Sequence, residues 1–238
     1  MHTIIRHKLV AVLPFLLLFA NSCSMVYSPF LHLPAAAPSE GDIAISGSGA
    51  IMPETNGGGS GSAEGSMLVG ISNRVSLGGR LWSRIGDIKS RSIDGTSLDA
   101  IVALGTTEKP RMFAGVREAY RSFDVALVPR VMSLFGTNQL GLVGSFSAAL
   151  WMPQFWVFRP YVATGIIGGW GVSNNGWSSG NGHGYGMINN LGVASTFDRH
   201  FTLNFELANP IVHMSLSSAS TRPINVTLLP SMTLAYQF

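Results

Sequence analysis

The fold is decided by the last stretch of the chain, INVTLLPSMTLAYQF (224–238), in which every second residue is apolar. Side chains of a β-strand alternate between its two faces, so this pattern predicts one strand with a continuous apolar face. The stretch is longer than a typical strand of about five or six residues. A membrane-crossing strand needs about 9–11 residues when it is tilted. Two interpretations therefore remain: a long strand of a soluble sandwich, or a strand of a membrane-spanning barrel.

The other end of the chain indicates export. Arg6, His7 and Lys8 precede an apolar run from Leu9 to Ala20, and small residues follow. A short basic region, an apolar core and small residues make a secretory signal, which we place at residues 1–22. The run is too short for a stable spanning helix, which needs about 20 residues. Only 11% of the chain is charged, and no Lys/Arg block exists, so nucleic acid is not an expected partner.

Cys23 is the single cysteine of the chain, so it cannot form an internal disulfide. It directly follows Ala20, Asn21 and Ser22, and this order resembles a bacterial lipobox, in which cleavage leaves a lipid-modified cysteine as the first residue. The alternative is an ordinary cleaved signal followed by a chance cysteine. Residues 23–41 contain Pro29, Pro34 and Pro38 and are predicted to be an extended tether, because proline disfavours helices and central strands. The lipid would then hold the N-terminus on the periplasmic side.

Residues 42–238 are predicted to form an antiparallel up-and-down barrel, because strand-like alternation continues throughout. Charged residues fall on the face opposite the apolar one, where a narrow lumen would let them pair with each other. An arginine or lysine facing lipid at mid-membrane would cost about 2–4 kcal/mol. A sandwich would instead bury its apolar faces together and leave the charges in water. The predicted lumen charges are Arg80, Arg84, Arg130, Arg159, Asp124 and Glu206; Arg117 lies on the same face.

The strand count follows from parity. Both termini are expected on the periplasmic side, so the number of strands must be even. The sequence contains eleven candidate segments, and residues 97–122 must then contain one crossing instead of two. We expect ten strands, with eight as the alternative, and residues 106–122 are the stretch that the pattern defines least. The polar, Gly-rich stretches 53–65 and 172–184 are predicted to be external loops that carry any recognition.

Two parts of the sequence resemble known outer-membrane proteins. Leu234, Tyr236 and Phe238 resemble the aromatic C-terminal signal by which the barrel assembly machinery recognises its clients. The start of the mature chain, CSMVYSPFLHLPAAAPSEGD (23–42), resembles barrel-type outer-membrane lipoproteins of Bacteroidetes and Chlorobi-like bacteria. The motif residues are Cys23, Tyr27, Pro29, Pro34, Gly41 and Asp42. The resemblance implies outer-membrane lipid and the lipoprotein processing and sorting machinery as partners. It implies no chemistry.

The search for chemistry yields little. No His-x-x-x-His pair and no paired cysteines suggest a metal site, and no cofactor is expected. His213 and Ser215 lie two residues apart, as the base and nucleophile of outer-membrane lipid A deacylases do, although Leu216 stands where that family has asparagine. The alternative is that His213 has no catalytic role and is an interfacial histidine at a strand end. A ten-stranded barrel has little lumen, so we expect a structural or surface-binding barrel plugged by charged side chains. A small gated pore is the alternative.

Overall fold

The computed structural model describes residues 28–34, 40–53, 59–85, 93–104, 112–113, 116–117, 123–136, 139–175, 178–197, 200–216, 219–225 and 228–238. At several strand ends within these ranges only the backbone is described. The strands are β1 (Ile43–Pro53), β2 (Gly59–Gly70), β3 (Val75–Arg84), β4 (Gly95–Ala103), β5 (Met112–Phe113), β6 (Val116–Arg117), β7 (Asp124–Gly136), β8 (Gln139–Trp151), β9 (Phe158–Asn175), β10 (Ser178–Thr196), β11 (Phe201–Leu216), β12 (Ala219–Asn225) and β13 (Leu229–Gln237).

Ten of these strands close into an antiparallel barrel. Around the barrel the strands follow the order β1-β2-β3-β4-β7-β8-β9-β10-β11-β13, and each pairs with the next in this order. The barrel closes because β13 also pairs with β1. The predicted all-β barrel of ten strands is therefore confirmed. Closure leaves no unpaired strand edge, which a bilayer requires.

Residues 97–122 contain one crossing, as parity predicts, and that crossing is β4. In the described part of the connection from β4 to β7, Met112 pairs with Arg117 and Phe113 with Val116. The rest of the stretch 106–122 lies outside the described residues.

The C-terminal prediction was partly wrong. Residues 224–238 do not form one strand: β12 pairs only with β11, and the barrel strand β13 begins at Leu229. The alternation itself holds within β13, because Met232 and Leu234 face outward while Ser231 and Thr233 are buried. β12 ends at Asn225, in the hairpin with β11, and the chain re-enters the barrel wall at Leu229.

The outer wall is apolar and the inner wall is polar. Exposed side chains around the barrel include Ile45, Leu77, Leu98, Val131, Leu142, Phe146, Ile166, Met187, Leu191, Phe205 and Leu234. Buried side chains include Ser62, Glu64, Arg80, Ser97, Asp99, Arg130, Ser145, Asn190, Asn204 and Glu206. A soluble sandwich would show the reverse arrangement, and an apolar exterior around a polar lumen is the arrangement of a transmembrane barrel.

Exposed aromatic residues flank the apolar wall at both ends. We call the end at which β13 finishes the C-terminal mouth and the other end the opposite mouth. At the C-terminal mouth lie Phe123, Phe155, Trp156, Phe158, Phe197, Phe201 and Phe238. Toward the opposite mouth lie Trp170 and Tyr185. From Phe158 to Trp170 a strand rises about 40 Å, or about 30 Å along the axis at a tilt of about 40°, close to the height of a membrane's apolar band. Trp151, at the last position of β8, is instead buried in the lumen.

The two predicted external loops are mostly strand. Residues 59–65 belong to β2, and residues 172–184 belong to β9 and β10 except for 176–177. Both stretches are rich in Gly and Ser, a composition that favours loops, and this led to the wrong prediction. The β-ladder in fact continues through them. Both hairpin ends lie at the opposite mouth, away from the end at which β13 finishes. The longest connection, between β4 and β7, lies at the C-terminal mouth.

Residues 28–34 lie inside the barrel. They belong to the stretch 23–41 predicted to be an extended tether, and they adopt no regular secondary structure. Ser28 and Phe30 are fully buried, and Leu31 and Leu33 are nearly so. This placement corrects the predicted tether for these residues; residues 23–27 and 35–39 lie outside the described part of the chain. Among the described residues, no helix is long and apolar enough to cross a membrane.

Candidate functional site

The candidate site is the lumen together with residues 28–34, which we call the lumen segment. The segment runs from the C-terminal mouth toward the middle of the barrel. Pro34 lies beside Trp151, at the last position of β8, whereas Ser28 lies beside Glu64 and Arg130, which stand midway along β2 and β7. The segment therefore fills the barrel axis where a pore would run.

Glu206 of β11 binds the backbone of the segment through both oxygens of its carboxylate. Its Oε1 accepts hydrogen bonds from the backbone N–H of Leu31 at 2.8 Å and from Asn190 at 2.5 Å. Its Oε2 accepts from the backbone N–H of His32 at 2.7 Å and from the Tyr161 hydroxyl at 2.5 Å. A carboxylate has about four acceptor sites, so this fully buried group is saturated, and half of its bonds come from the segment.

The backbone at His32 is bent to fit this clamp. Its φ is +48°, in the left-handed region that residues other than glycine rarely adopt. This conformation lets the successive N–H groups of Leu31 and His32 reach the two oxygens of Glu206. The side chain of His32 also lies 3.1 Å from the Ser231 hydroxyl and 3.4 Å from Glu64. A strained conformation persists only where its surroundings hold it from several sides, as they do here.

Most carbonyls of the segment accept hydrogen bonds from side chains of the wall. Arg80 donates to the carbonyls of Phe30, at 3.1 Å, and of Leu31. The other donors are Arg130 to Ser28 at 3.2 Å, Asn190 to Pro29 at 3.0 Å, Asn204 to Leu33 at 2.6 Å and Trp151 to Pro34 at 3.1 Å. Six of the seven segment carbonyls are thus paired. Buried peptide groups need such partners because leaving them unpaired is costly.

Carboxylates hold the two arginines in position. Asp99 on β4 lies between them, with Oδ2 2.5 Å from Arg80 Nε and Oδ1 3.0 Å from Arg130 Nε. Glu64 lies 3.8 Å from Arg80 and accepts a 2.5 Å hydrogen bond from the Ser28 hydroxyl. Each charge in this network therefore has an opposite charge or a peptide group beside it, which a buried charge requires.

Tyr161 supports Glu206 across an intervening glycine. Gly192 pairs with Tyr161 on one side and with Glu206 on the other, so the phenol ring must cross Gly192 to reach the carboxylate. A Cβ at Gly192 would lie 2.1 Å from the ring of Tyr161. The hydroxyl also accepts a 3.1 Å hydrogen bond from Asn204, which orients that amide toward the carbonyl of Leu33.

Apolar contacts hold the side chains of the segment in two places. Phe30 packs toward the opposite mouth, in a buried cluster formed by Ala50, Trp82, Met132, Leu134, Ile167, Ile188, Ala208, Val212 and Leu229. Leu31 and Leu33 pack toward the C-terminal mouth, in a cluster formed by Ile101, Ala126, Val128, Ala149, Trp151, Tyr161 and Ala163. Burying such side chains contributes about 1.5–3 kcal/mol each, so packing reinforces the polar contacts.

The structure brings together three of the predicted lumen charges. Arg80, Arg130 and Glu206 all contact the segment. Arg159 and Asp124 form a separate buried ion pair near the C-terminal mouth. The side chain of Arg84 lies outside the described part of the structure, as does that of Arg117.

Sequence reasoning missed two carboxylates and the segment itself. Glu64 was assigned to a loop, although Ser62, Glu64 and Ser66 alternate with Ala63, Gly65 and Met67. Asp99 alternates with Leu98 and Ala100 in the same manner. That alternation was the available signal. The segment carries none, because a non-repetitive Pro-containing stretch looks the same inside a barrel as outside it.

The remaining predicted site residues lie elsewhere. His213 and Ser215 belong to β11, where their backbones pair with Tyr185 and His183, and their side chains are outside the described part of the structure. Cys23 is also outside it. At the C-terminus, Leu234 and Phe238 point outward, and Tyr236 packs edge-on against Phe201 and Phe238. Within the described residues, no three His, Cys, Asp or Glu side chains gather as a metal site.

The class of the protein follows from this geometry: a closed β-barrel with an apolar exterior, aromatic ends and a filled polar lumen is a membrane-spanning β-barrel. No protein-family model and no curated protein matches the chain.

Solved structures resemble it in form. The N-terminal β-barrel domain of Pseudomonas aeruginosa OprF is 14% identical, with a TM-score of 0.38, covering 84% of this chain and all of that one. The COG4313 outer membrane channel of Pseudomonas putida F1 is 8% identical, with a TM-score of 0.41, covering 85% of this chain and 97% of that one. Neisserial surface protein A is 9% identical, with a TM-score of 0.34, covering 82% and 94%. Nothing about function follows from likeness at this level.

Proposed function

We propose that this chain is an outer-membrane β-barrel whose lumen is closed by its own lumen segment and which serves as a structural or surface-binding protein. The observation that carries the proposal is the saturation of Glu206, which takes two of its four hydrogen bonds from the backbone of Leu31 and His32. A barrel built for open passage would leave such a carboxylate to water. The predicted secretory signal at residues 1–22 and the aromatic C-terminal residues support the outer membrane as the location of the protein.

Conductance measurements test whether the lumen is closed. Purified full-length protein in planar lipid bilayers should show no steady conductance, because the segment occupies the axis between Trp151 and Arg130. A general porin reconstituted in parallel serves as the positive control for insertion. Large, stable openings of the full-length protein would contradict the closed barrel and favour a porin.

A lipid anchor at Cys23 is the second part of the proposal. Cys23 is the sole cysteine and follows a signal sequence at the position that a lipobox would require. Cys23 lies five positions before Ser28, and a fully extended chain spans that interval in at most about 18 Å. An acylated Cys23 would therefore lie within about 18 Å of the buried segment.

Surface recognition is assigned to the tip of the β9–β10 hairpin at the opposite mouth. The ladder between these strands continues to Asn175 and Ser178, beyond the last residues that pair with β8 and β11. Shortening this hairpin and then screening surface ligands is the experiment that tests it. Loss of a ligand that the intact protein binds would support the assignment, and equal binding by both would contradict it.

A small gated pore is the second candidate function. One observation favours it: the occupant of the lumen is a segment without regular secondary structure, so a passage could open without separating any pair of wall strands. The proposal assigns no catalytic role to His213 or Ser215. Release of fatty acid from lipopolysaccharide that is lost in Ser215→Ala would overturn that part.

A further inference from the structure

The wall of the barrel recognises the lumen segment chiefly through its main chain. Glu206 accepts from two backbone N–H groups, and the side chains of Arg80, Arg130, Asn190, Asn204 and Trp151 donate to backbone carbonyls. Every one of these groups is present in any extended peptide. Only Ser28 and His32 add polar contacts through their own side chains.

Apolar pockets add selectivity to this main-chain recognition. Phe30 and the pair Leu31 and Leu33 enter two separate buried clusters. Main-chain hydrogen bonds that give affinity, combined with side-chain pockets that give specificity, are the general design of a peptide-binding site.

No strand ladder ties the segment to the wall. None of the residues 28–34 pairs with a strand, so only side chains of the wall, and not its backbone, hold the segment. A cavity of about 50 Å³ adjoins Leu31, His32, Leu33, Asn204 and Thr233. Such a volume exceeds the roughly 10–15 Å³ that one water needs, so the segment does not fill the lumen completely.

An empty lumen would be unfavourable. Without the segment, the buried carboxylate of Glu206 would lose two donors, and Arg80 would lose both of its carbonyl acceptors. Water that entered the vacated lumen would have to replace these partners in a narrow space, and a chain that supplies the same main-chain groups would displace that water.

We infer that the lumen is a binding site for an apolar peptide of about seven residues that bends at the position of His32, and that residues 28–34 are its resident, exchangeable occupant. The inference rests on the proposed closed barrel. It goes beyond that proposal, since it requires the segment to bind as a separate molecule.

The test cuts the segment free after the protein has folded, so folding itself is not perturbed. A protease recognition sequence is inserted within residues 35–39, and the purified, folded protein is cleaved. Excess isotope-labelled peptide Ser-Pro-Phe-Leu-His-Leu-Pro is then added, and its incorporation is followed by native mass spectrometry and by bilayer recording. The matched control is the same peptide with ester links that remove the N–H groups corresponding to Leu31 and His32.

We expect labelled peptide to bind one per barrel, to replace the resident segment, and to bind at least tenfold more tightly than the ester peptide. Conductance that appears after cleavage should be blocked saturably by the amide peptide. Equal binding of both peptides, or no incorporation at any concentration, would overturn the inference. Steady conductance of the uncleaved protein would instead contradict the closed barrel, so the two failures are distinguishable.

Discussion

Tyr161 and Glu206 lie on strands that are separated by β10, yet the tyrosine hydroxyl donates a 2.5 Å hydrogen bond to the carboxylate. The contact exists because Gly192 of the intervening strand has no side chain. Glu206 in turn holds the backbone of Leu31 and His32. One glycine in the wall therefore determines whether the clamp on the lumen segment can form.

Substitution Gly192→Ala should destabilise the barrel. The new Cβ would lie 2.1 Å from the ring of Tyr161, and the ring would have to move away from Glu206. Overpacking of this kind costs about 1–3 kcal/mol. The measurement is the temperature at which the folded, fast-migrating form is lost on a gel.

Gly144→Ala is the matched control, because a Cβ there would meet only the carbonyl of Gly168 at 4.0 Å. A Gly192→Ala protein that melts at the same temperature as Gly144→Ala would contradict the role assigned to the crossing tyrosine.

The wall of the barrel was predictable because its physics is local. Alternation in β13 follows from the two faces of a strand, and Arg80, Arg130 and Glu206 were placed inward because lipid rejects charge. Parity required an even number of strands, and the eleven candidate segments, with a single crossing in residues 97–122, then gave ten.

The site was less predictable, because its partners are remote in sequence and lack a pattern. Glu206 accepts from Leu31, 175 positions away, through a peptide N–H that every residue possesses. No side-chain code marks that pairing. Glu64 was hidden for a different reason: Gly and Ser around it favour a loop on composition, and the closed sheet overrides that local preference.

Substitution Glu206→Gln should loosen the lumen segment. The neutral amide offers one acceptor in place of two charged ones, and its NH₂ would face a donor. A buried donor that loses its acceptor costs about 1–3 kcal/mol. We expect backbone amides of residues 30–33 to exchange with deuterium at least a hundredfold faster.

Asp124→Asn is the control for this measurement. It removes a buried carboxylate that pairs with Arg159 near the C-terminal mouth and takes no part in the hydrogen bonds that hold residues 28–34. Similar acceleration in both variants would show that general loosening of the barrel, and not the clamp, explains the effect.

Deletion of Phe238 should impair assembly into the outer membrane. The residue is two-thirds exposed and packs edge-on against Tyr236 at the C-terminal mouth, where insertion machinery could reach it. We expect less heat-modifiable protein in outer-membrane fractions, with Phe238→Tyr as the control that keeps the aromatic ring. Folded protein recovered entirely soluble from the periplasm in the wild type would contradict the membrane barrel.

Substitution Cys23→Ala should abolish labelling by radioactive palmitate. The prediction follows from the position of the only cysteine directly after the predicted signal sequence. Ser24→Ala serves as the control, because it leaves the acceptor thiol in place. Equal labelling of wild type and Cys23→Ala would remove the lipid anchor and leave an ordinary cleaved signal.

The final prediction concerns the left-handed backbone at His32. His32→Ala and His32→Gly both remove the contacts of the imidazole with Ser231 and Glu64 and its stacking on Phe30. They differ in one respect: glycine adopts a φ of +48° without steric cost, whereas alanine pays about 1 kcal/mol. Deuterium exchange at Leu31 should therefore be about fivefold faster in His32→Ala than in His32→Gly. Equal exchange would mean that Glu206 does not require this backbone conformation to hold the segment.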